Sequence, residues 1–129
     1  MLRRRGVKTT LELGALAEEH AARYLASRGY RIRERNFRLP GGPEVDIIAE
    51  RGEVLAFIEV KARRTNAALN PRDAVTPSKE RQIIRAASAF ISTRERRERV
   101  MRYDILEVYL TAEGRVEKIE HLEGAFKAR

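Results

Sequence analysis

The sequence predicts one α/β domain with a mixed central sheet flanked by helices, in the order α-β-β-β-α-β(-β). Three observations point there. Two segments carry apolar residues at helical spacing behind a threonine cap. Between them lie two short apolar runs separated by a glycine turn. The chain is 129 residues long, which suits a single domain over residues 1–129 with a real core. No repeat, low-complexity tract or linker divides it.

Residues 1–8 are basic and aperiodic and read as a flexible arm. Thr9 and Glu12 have capping-box spacing, and Leu13, Leu16, Ala17, Ala21, Tyr24 and Leu25 form an apolar stripe ending before Gly29. Tyr30 to Leu39 is mixed and Arg-rich and reads as an exposed or edge strand. Pro40-Gly41-Gly42-Pro43 breaks the chain. Val45-Asp46-Ile47-Ile48-Ala49 and the run Val54 to Val60 are two strands joined by a hairpin with Gly52 in its turn. Val54-Leu55-Ala56-Phe57-Ile58 is apolar at consecutive positions, as in a strand covered on both faces. Residues 62–75, with Asn66, Asn70 and Pro71, read as a loop. Thr76 as N-cap and Pro77 at the first helical position open a second helix, to about Thr93. Ile83, Ile84, Ala87, Phe90 and Ile91 are its buried face. A strand from Met101 to Leu110, a turn at Glu113-Gly114 and a strand from Val116 to Leu122 complete the order.

Lys and Arg number 27 against 19 Asp and Glu, for a net charge of +8, and 36% of residues are charged. The usual charged fraction is about a quarter; the excess of positive charge points to a polyanionic partner, either nucleic acid or an anionic membrane surface. The basic stretches are residues 28–38, 61–64 and 94–102. The absence of cysteine excludes disulfides, a thiolate nucleophile and Cys-ligated metal. No apolar run approaches the roughly 18 residues that span a bilayer. Arg3, Arg4 and Arg5 are followed by no continuous apolar run, so no signal peptide is expected; the lack of cysteine is neutral about compartment, with a reducing, cytoplasmic setting the simpler expectation. No helix pairs a basic face with a large exposed apolar one, which disfavours a membrane partner. Four Phe, four Tyr and no Trp argue against a stacking platform for single strands.

Asp46 and Glu59-Val60-Lys61 stand out on the two paired strands. Period two puts Glu59 and Lys61 on one side, roughly 7 Å apart. Both end the most hydrophobic strand, where ionised groups are costly unless paired or bound to a cation. Antiparallel pairing around a turn at Glu50–Glu53 brings Asp46 beside Glu59, in a register the sequence leaves open. Two carboxylates and a lysine suit a hard divalent ion such as Mg²⁺; the alternative is a Lys–Glu pair with a solvated Asp. Glu18 has small neighbours, Gly14, Ala21 and Ala22, and reads either as a carboxylate facing a cavity or as an ordinary surface Glu. Lys79 shares the helical face of Ile83, where snorkelling would also explain it. His20 and His121 are lone histidines and read as surface residues.

Together these residues resemble the PD-(D/E)XK endonuclease superfamily. More closely, the chain is similar to the YraN-type uncharacterised protein family (UPF0102), related to archaeal Holliday-junction resolvases. The resemblance runs from Leu13 to Val108. It passes through Gly14-Ala15-Leu16-Ala17-Glu18, Arg35-Asn36-Phe37-Arg38, Glu44-Val45-Asp46-Ile47-Ile48-Ala49 and Phe57-Ile58-Glu59-Val60-Lys61. It continues through Val75-Thr76-Pro77-Ser78-Lys79 to Arg102-Tyr103-Asp104-Ile105. Pro43 stands where the family commonly has Gly.

The resemblance implies a restriction-endonuclease-like core and a metal-dependent endonuclease hydrolysing phosphodiester bonds in DNA, branched DNA included. It implies that Asp46 and Glu59 ligate Mg²⁺ (or Mn²⁺), with the main-chain carbonyl of Val60 as a third ligand. Lys61 would position the attacking water and neutralise charge on the scissile phosphate, and Glu18 would complete the acidic cluster. Arg35, Arg38, Arg63, Arg64 and Lys79 are the candidate nucleic-acid contacts. A homodimer is an expectation by analogy with resolvases. The alternative is a non-cleaving nucleic-acid-binding module within a repair or processing assembly.

Overall fold

The structure, a computed structural model, describes residues 6–65, 75–95 and 97–128. Most of the basic arm, the loop residues Asn66, Asn70 and Pro71, and Arg96 lie outside the described residues. The elements are α1 (Thr10–Ser27), β1 (Arg31–Arg38), β2 (Glu44–Arg51), β3 (Val54–Arg64), α2 (Pro77–Arg94), β4 (Val100–Leu110) and β5 (Val116–Phe126). The five strands form one sheet in sequence order, parallel between β3 and β4 and antiparallel elsewhere. The predicted order and the mixed sheet are both present. A parallel pair needs a crossover, and α2 lies in it.

Local chemistry explains the boundaries. At α1 the Thr9 hydroxyl accepts from the Glu12 N–H (3.1 Å) and the Glu12 carboxylate accepts from the Thr9 N–H (2.8 Å), so two otherwise unpaired donors are satisfied. Thr76 caps α2, accepting from the Lys79 N–H at 3.1 Å, with Pro77 at its start. The β2–β3 hairpin closes directly from the Arg51–Val54 pair. Gly52 at φ +59 supplies the left-handed residue that a two-residue hairpin loop requires.

The central strands of the sheet are buried on both faces. Leu13, Ala17, Ala21 and Leu25 of α1 pack on Ile47, Ala49, Ala56, Ile58, Leu106 and Val108. Ile83, Ala86, Ala87 and Phe90 of α2 pack on Ile48, Leu55, Phe57 and Tyr103. Leu55 to Ile58 are fully buried without a gap, as the continuous apolar run predicts. Among the described residues, no helix is long and apolar enough to cross a membrane.

Three features depart from the sequence expectations. β3 runs to Arg64, so residues 62–64, which read as loop, belong to the strand. The last strand runs to Phe126 rather than Leu122, through a register shift opposite Tyr103 and Ile105. Gly124, at φ +61, donates its N–H to the buried Asp104 carboxylate at 2.9 Å, so a side chain replaces a ladder bond and the strand continues. His121 is not a surface residue: its side chain is only 8% exposed, and Nε2 lies 2.8 Å from Asp104 Oδ2. Arg102 completes that buried cluster with two contacts to Asp104, at 2.9 and 2.8 Å.

Candidate functional site

β2 and β3 stay paired as far as Ile47 and Ile58. Beyond that pair Asp46 Oδ2 accepts the main-chain N–H of Val60 at 2.8 Å. The carboxylate therefore takes over from the ladder and is fixed at the fork between the strands. Next to it, Glu59 continues the face of Leu55 and Phe57, and its side chain is 8% exposed. Glu59 Oε2 lies 3.9 Å from Lys61 Nζ and 4.0 Å from Lys79 Nζ. Its other oxygen, Oε1, is buried with no hydrogen-bond partner among the described residues.

The electrostatics follow from this crowding. Burial, reinforced by the Asp46 charge, pushes the Glu59 carboxyl up to about 7, against the pull of Lys79 and Lys61. Burial also raises Asp46, opposed by the Val60 N–H. Glu18 on α1 is raised by burial first, then by the charges of Asp46 and Glu44, while Arg35 lowers it. The structure thus brings together Glu18, Asp46, Glu59, Lys61 and Lys79, from two helices and two strands. Three carboxyl groups hold protons more tightly than they would in water, because burial and their mutual repulsion outweigh the pull of the nearby lysines and Arg35.

These residues fit a hard divalent cation. Glu59 Oε1 is a buried carboxyl oxygen without a hydrogen-bond donor among the described residues, beside a second carboxylate already oriented by the main chain. Among the described residues no three His, Cys, Asp or Glu side chains form a metal-ligating group. The protein's own side-chain ligands would therefore be Asp46 and Glu59, with the Val60 carbonyl next in the chain. One or two carboxylates with waters in the remaining positions is how Mg²⁺ is usually held.

The candidate phosphate contacts divide into two groups. Arg64 is exposed, its guanidinium 3.4 Å from the Thr10 hydroxyl. Arg35 and Arg38 are exposed and pair with Glu19 (3.2 Å) and Glu44 (2.7 Å). Lys79 is drawn to Glu59. Arg63 differs: it is 7% exposed and reaches Glu107 Oε2 at 2.7 and 2.9 Å. That geometry makes it a counter-ion inside the protein rather than an outward phosphate ligand. Strand alternation alone could not reveal this, because the partner carboxylate comes from β4.

Sequence reasoning assigned no role to Glu44 or Asn36. With its amide nitrogen facing the carboxylates, Asn36 donates to Glu18 Oε1 (3.1 Å) and to Glu44 Oε1 (2.9 Å). The available signal was a polar Asn within an Arg-rich strand, which has no chemistry until its neighbours in space are known.

Comparison with known proteins gives a consistent picture. Residues 17–108 match the model of the family described as "Uncharacterised protein family UPF0102". A UPF0102 protein of Chlorobium chlorochromatii is 46% identical over 122 residues, covering 92% of this chain and 93% of the relative. One from Dictyoglomus thermophilum is 40% identical over 115 residues, covering 89% and 97%. One from Trichlorobacter lovleyi is 47% identical over 115 residues, covering 88% and 89%.

Proposed function

This chain belongs to the uncharacterised protein family UPF0102, and from that premise and the geometry above we propose that it is a divalent-cation-dependent endonuclease acting on DNA, branched DNA included. The observation that carries the reading is the buried Glu59 Oε1 beside Asp46, without a hydrogen-bond partner among the described residues, with Lys61 two residues further along the same strand. Asp46 and Glu59, with the Val60 carbonyl, would hold Mg²⁺ or Mn²⁺, which would supply Lewis acidity toward the phosphoryl group and the attacking water.

The chain's own groups do the rest. Asp46 is held by the Val60 N–H, so one anionic ligand is oriented before any ion arrives. Glu59 supplies the second anionic oxygen from a site where its charge is destabilised until matched. Lys61, 27% exposed, presents an ammonium at the rim, where negative charge builds on the phosphate being cleaved. Lys79, at the start of α2, adds a second positive charge on the same side of Glu59.

Purified protein incubated with duplex, single-stranded and four-way-junction DNA is expected to cut at least one substrate with Mg²⁺ or Mn²⁺ and none with EDTA. Protein that binds DNA but cuts no substrate under any of these conditions is instead a non-cleaving binding module.

The two neighbouring arginines are expected to behave differently. Arg64→Ala should flatten the dependence of log K on log salt by about 0.9, one phosphate contact, and leave stability unchanged. Arg63→Ala breaks a buried ion pair and should cost about 3 kcal/mol of stability with little change in that slope. Binding isotherms at several salt concentrations, with denaturant melts of both variants, check this. Equal slopes and equal stabilities would contradict the assignment.

A further inference from the structure

Asn36 is the one non-glycine residue with positive φ (+54°) among the described residues. It lies between the ladder pairs Arg35–Ile47 and Phe37–Val45, so it stands opposite Asp46. In a regular strand, residues two apart face the same side of the sheet. Here they do not. Arg35 reaches Glu19 on α1, whereas the Phe37 ring lies 5.4 Å from Phe90 of α2. The partner strand behaves likewise: Ile47 belongs to the core under α1 and Val45 to the core under α2. The β1–β2 pair is therefore turned over at Asn36 and Asp46.

The turn-over lets one site draw carboxylates from both faces of the sheet. Asp46 sits where the facing changes, with its carboxylate beside the edge of β3, bonded to Val60. Glu18 from the α1 side comes within electrostatic range of Asp46, while Glu59 lies on the α2 side with Lys79. We infer that Asn36 is the positioning residue of this site: its left-handed backbone turns the strand pair over at Asp46, and its amide clamps Glu18 and Glu44 beside the cation ligands. Asparagine is among the few residues that adopt this conformation without large cost, and its amide nitrogen has two donors, one for each carboxylate. The inference rests on the proposed function only in taking Asp46 and Glu59 as cation ligands.

Two substitutions separate the backbone contribution from the amide. Asn36 is exposed, so neither leaves a cavity. Asn36→Gly keeps the left-handed backbone and removes the amide; Asn36→Ala removes both. Mn²⁺ titration by calorimetry, with no nucleic acid present, is measured beside thermal unfolding without metal. Asn36→Gly should unfold within about 5 °C of wild type yet bind Mn²⁺ about tenfold more weakly, as expected when a group that holds two carboxylates in place beside the ligands is lost. Asn36→Ala should bind at least as weakly and also unfold several degrees lower. Wild-type Mn²⁺ affinity in Asn36→Gly, or tighter binding, overturns the inference. So does a wild-type protein that binds no Mn²⁺. A wild type that binds Mn²⁺ and loses affinity in Asn36→Gly, yet cuts no DNA, upholds the positioning role and removes the nuclease reading.

Discussion

Lys61→Ala and Glu59→Gln are each expected to lower the rate of DNA cleavage by about 10²–10³ while leaving most DNA affinity intact. That is the usual loss on deleting one preorganised charge from a site of this kind. The division of labour follows from placement. Arg35, Arg38 and Arg64 lie exposed around the site and would contribute to binding many phosphates. Lys61 and Glu59 converge on one point, with Nζ 3.9 Å from Oε2. A group that matters most as charge builds on the scissile phosphate shows its loss in turnover rather than in affinity. Raised Mn²⁺ should partly restore Glu59→Gln, whose defect is a weakened ligand set, and should leave Lys61→Ala unimproved. Lys79→Ala should be milder, because its ammonium stands further into solvent, at 37% exposure. Single-turnover gels with matched binding isotherms check the pattern. Variants that cut as fast as wild type would place the chemistry elsewhere.

Without metal, stability is expected to fall as the pH rises from about 5 to 8, by about 3 kcal/mol. Glu59 carries most of this. Its pKa goes from an ordinary 4.5 in the unfolded chain to about 7 in the fold, and each unit corresponds to about 1.4 kcal/mol. The folded state holds the proton more tightly. The stabilisation is therefore complete below the unfolded pKa and is lost as pH climbs through 7. Asp46 and Glu18 are raised too and act in the same direction.

Other carboxylates oppose this at low pH. Glu50, held at about 2 by Arg99, Arg31 and Arg33 against the cost of burial, stabilises above its unfolded pKa and loses that contribution as the medium is acidified. Asp104, held down by His121 and Arg102 against its own burial, behaves alike. The metal-free protein should thus be most stable near about pH 5. Saturating Mg²⁺ should remove the decline above pH 6, since a ligand bound only by the native state stabilises it by mass action. Denaturant melts at pH 5, 6, 7 and 8, in EDTA and in Mg²⁺, measure both effects. Glu59→Gln should show a much flatter profile and little response to Mg²⁺. A wild-type profile as flat as that of Glu59→Gln would mean that Glu59 does not carry the buried proton.

The strand and helix order was open to sequence reasoning because it is written in short-range patterns. The Thr9–Glu12 and Thr76–Pro77 starts, the Gly52 turn and the unbroken apolar run of β3 each act within a few residues. The acidic pair with its lysine was legible for a related reason: charges at the end of a fully buried strand conflict with their surroundings unless they serve one another or an ion. Only the tertiary structure showed how many of the charges are internal. The Arg99 side chain, 2% exposed, lies 2.9 Å from Glu50 Oε1 and donates to the Gly52 carbonyl at 3.0 Å. It thereby ties the start of β4 to the β2–β3 hairpin. In the sequence it looks like one more member of a basic patch.

Arg63 with Glu107, and Asp104 with His121, were hidden in the same way. Each pair joins strands whose register is set by packing, not by neighbours in sequence. The same holds for Asn36, whose partners Glu18 and Glu44 come from a helix and an adjacent strand. Periodicity assigns a residue to a face of its own element. It cannot say where a strand pair turns over, because that depends on one backbone angle and on what lies across the ladder. The sequence by itself determined the elements, their order and the identity of the acidic pair. The tertiary structure alone decided which arginines face solvent, which histidine is buried, and that carboxylates from both faces of the sheet meet at Asp46.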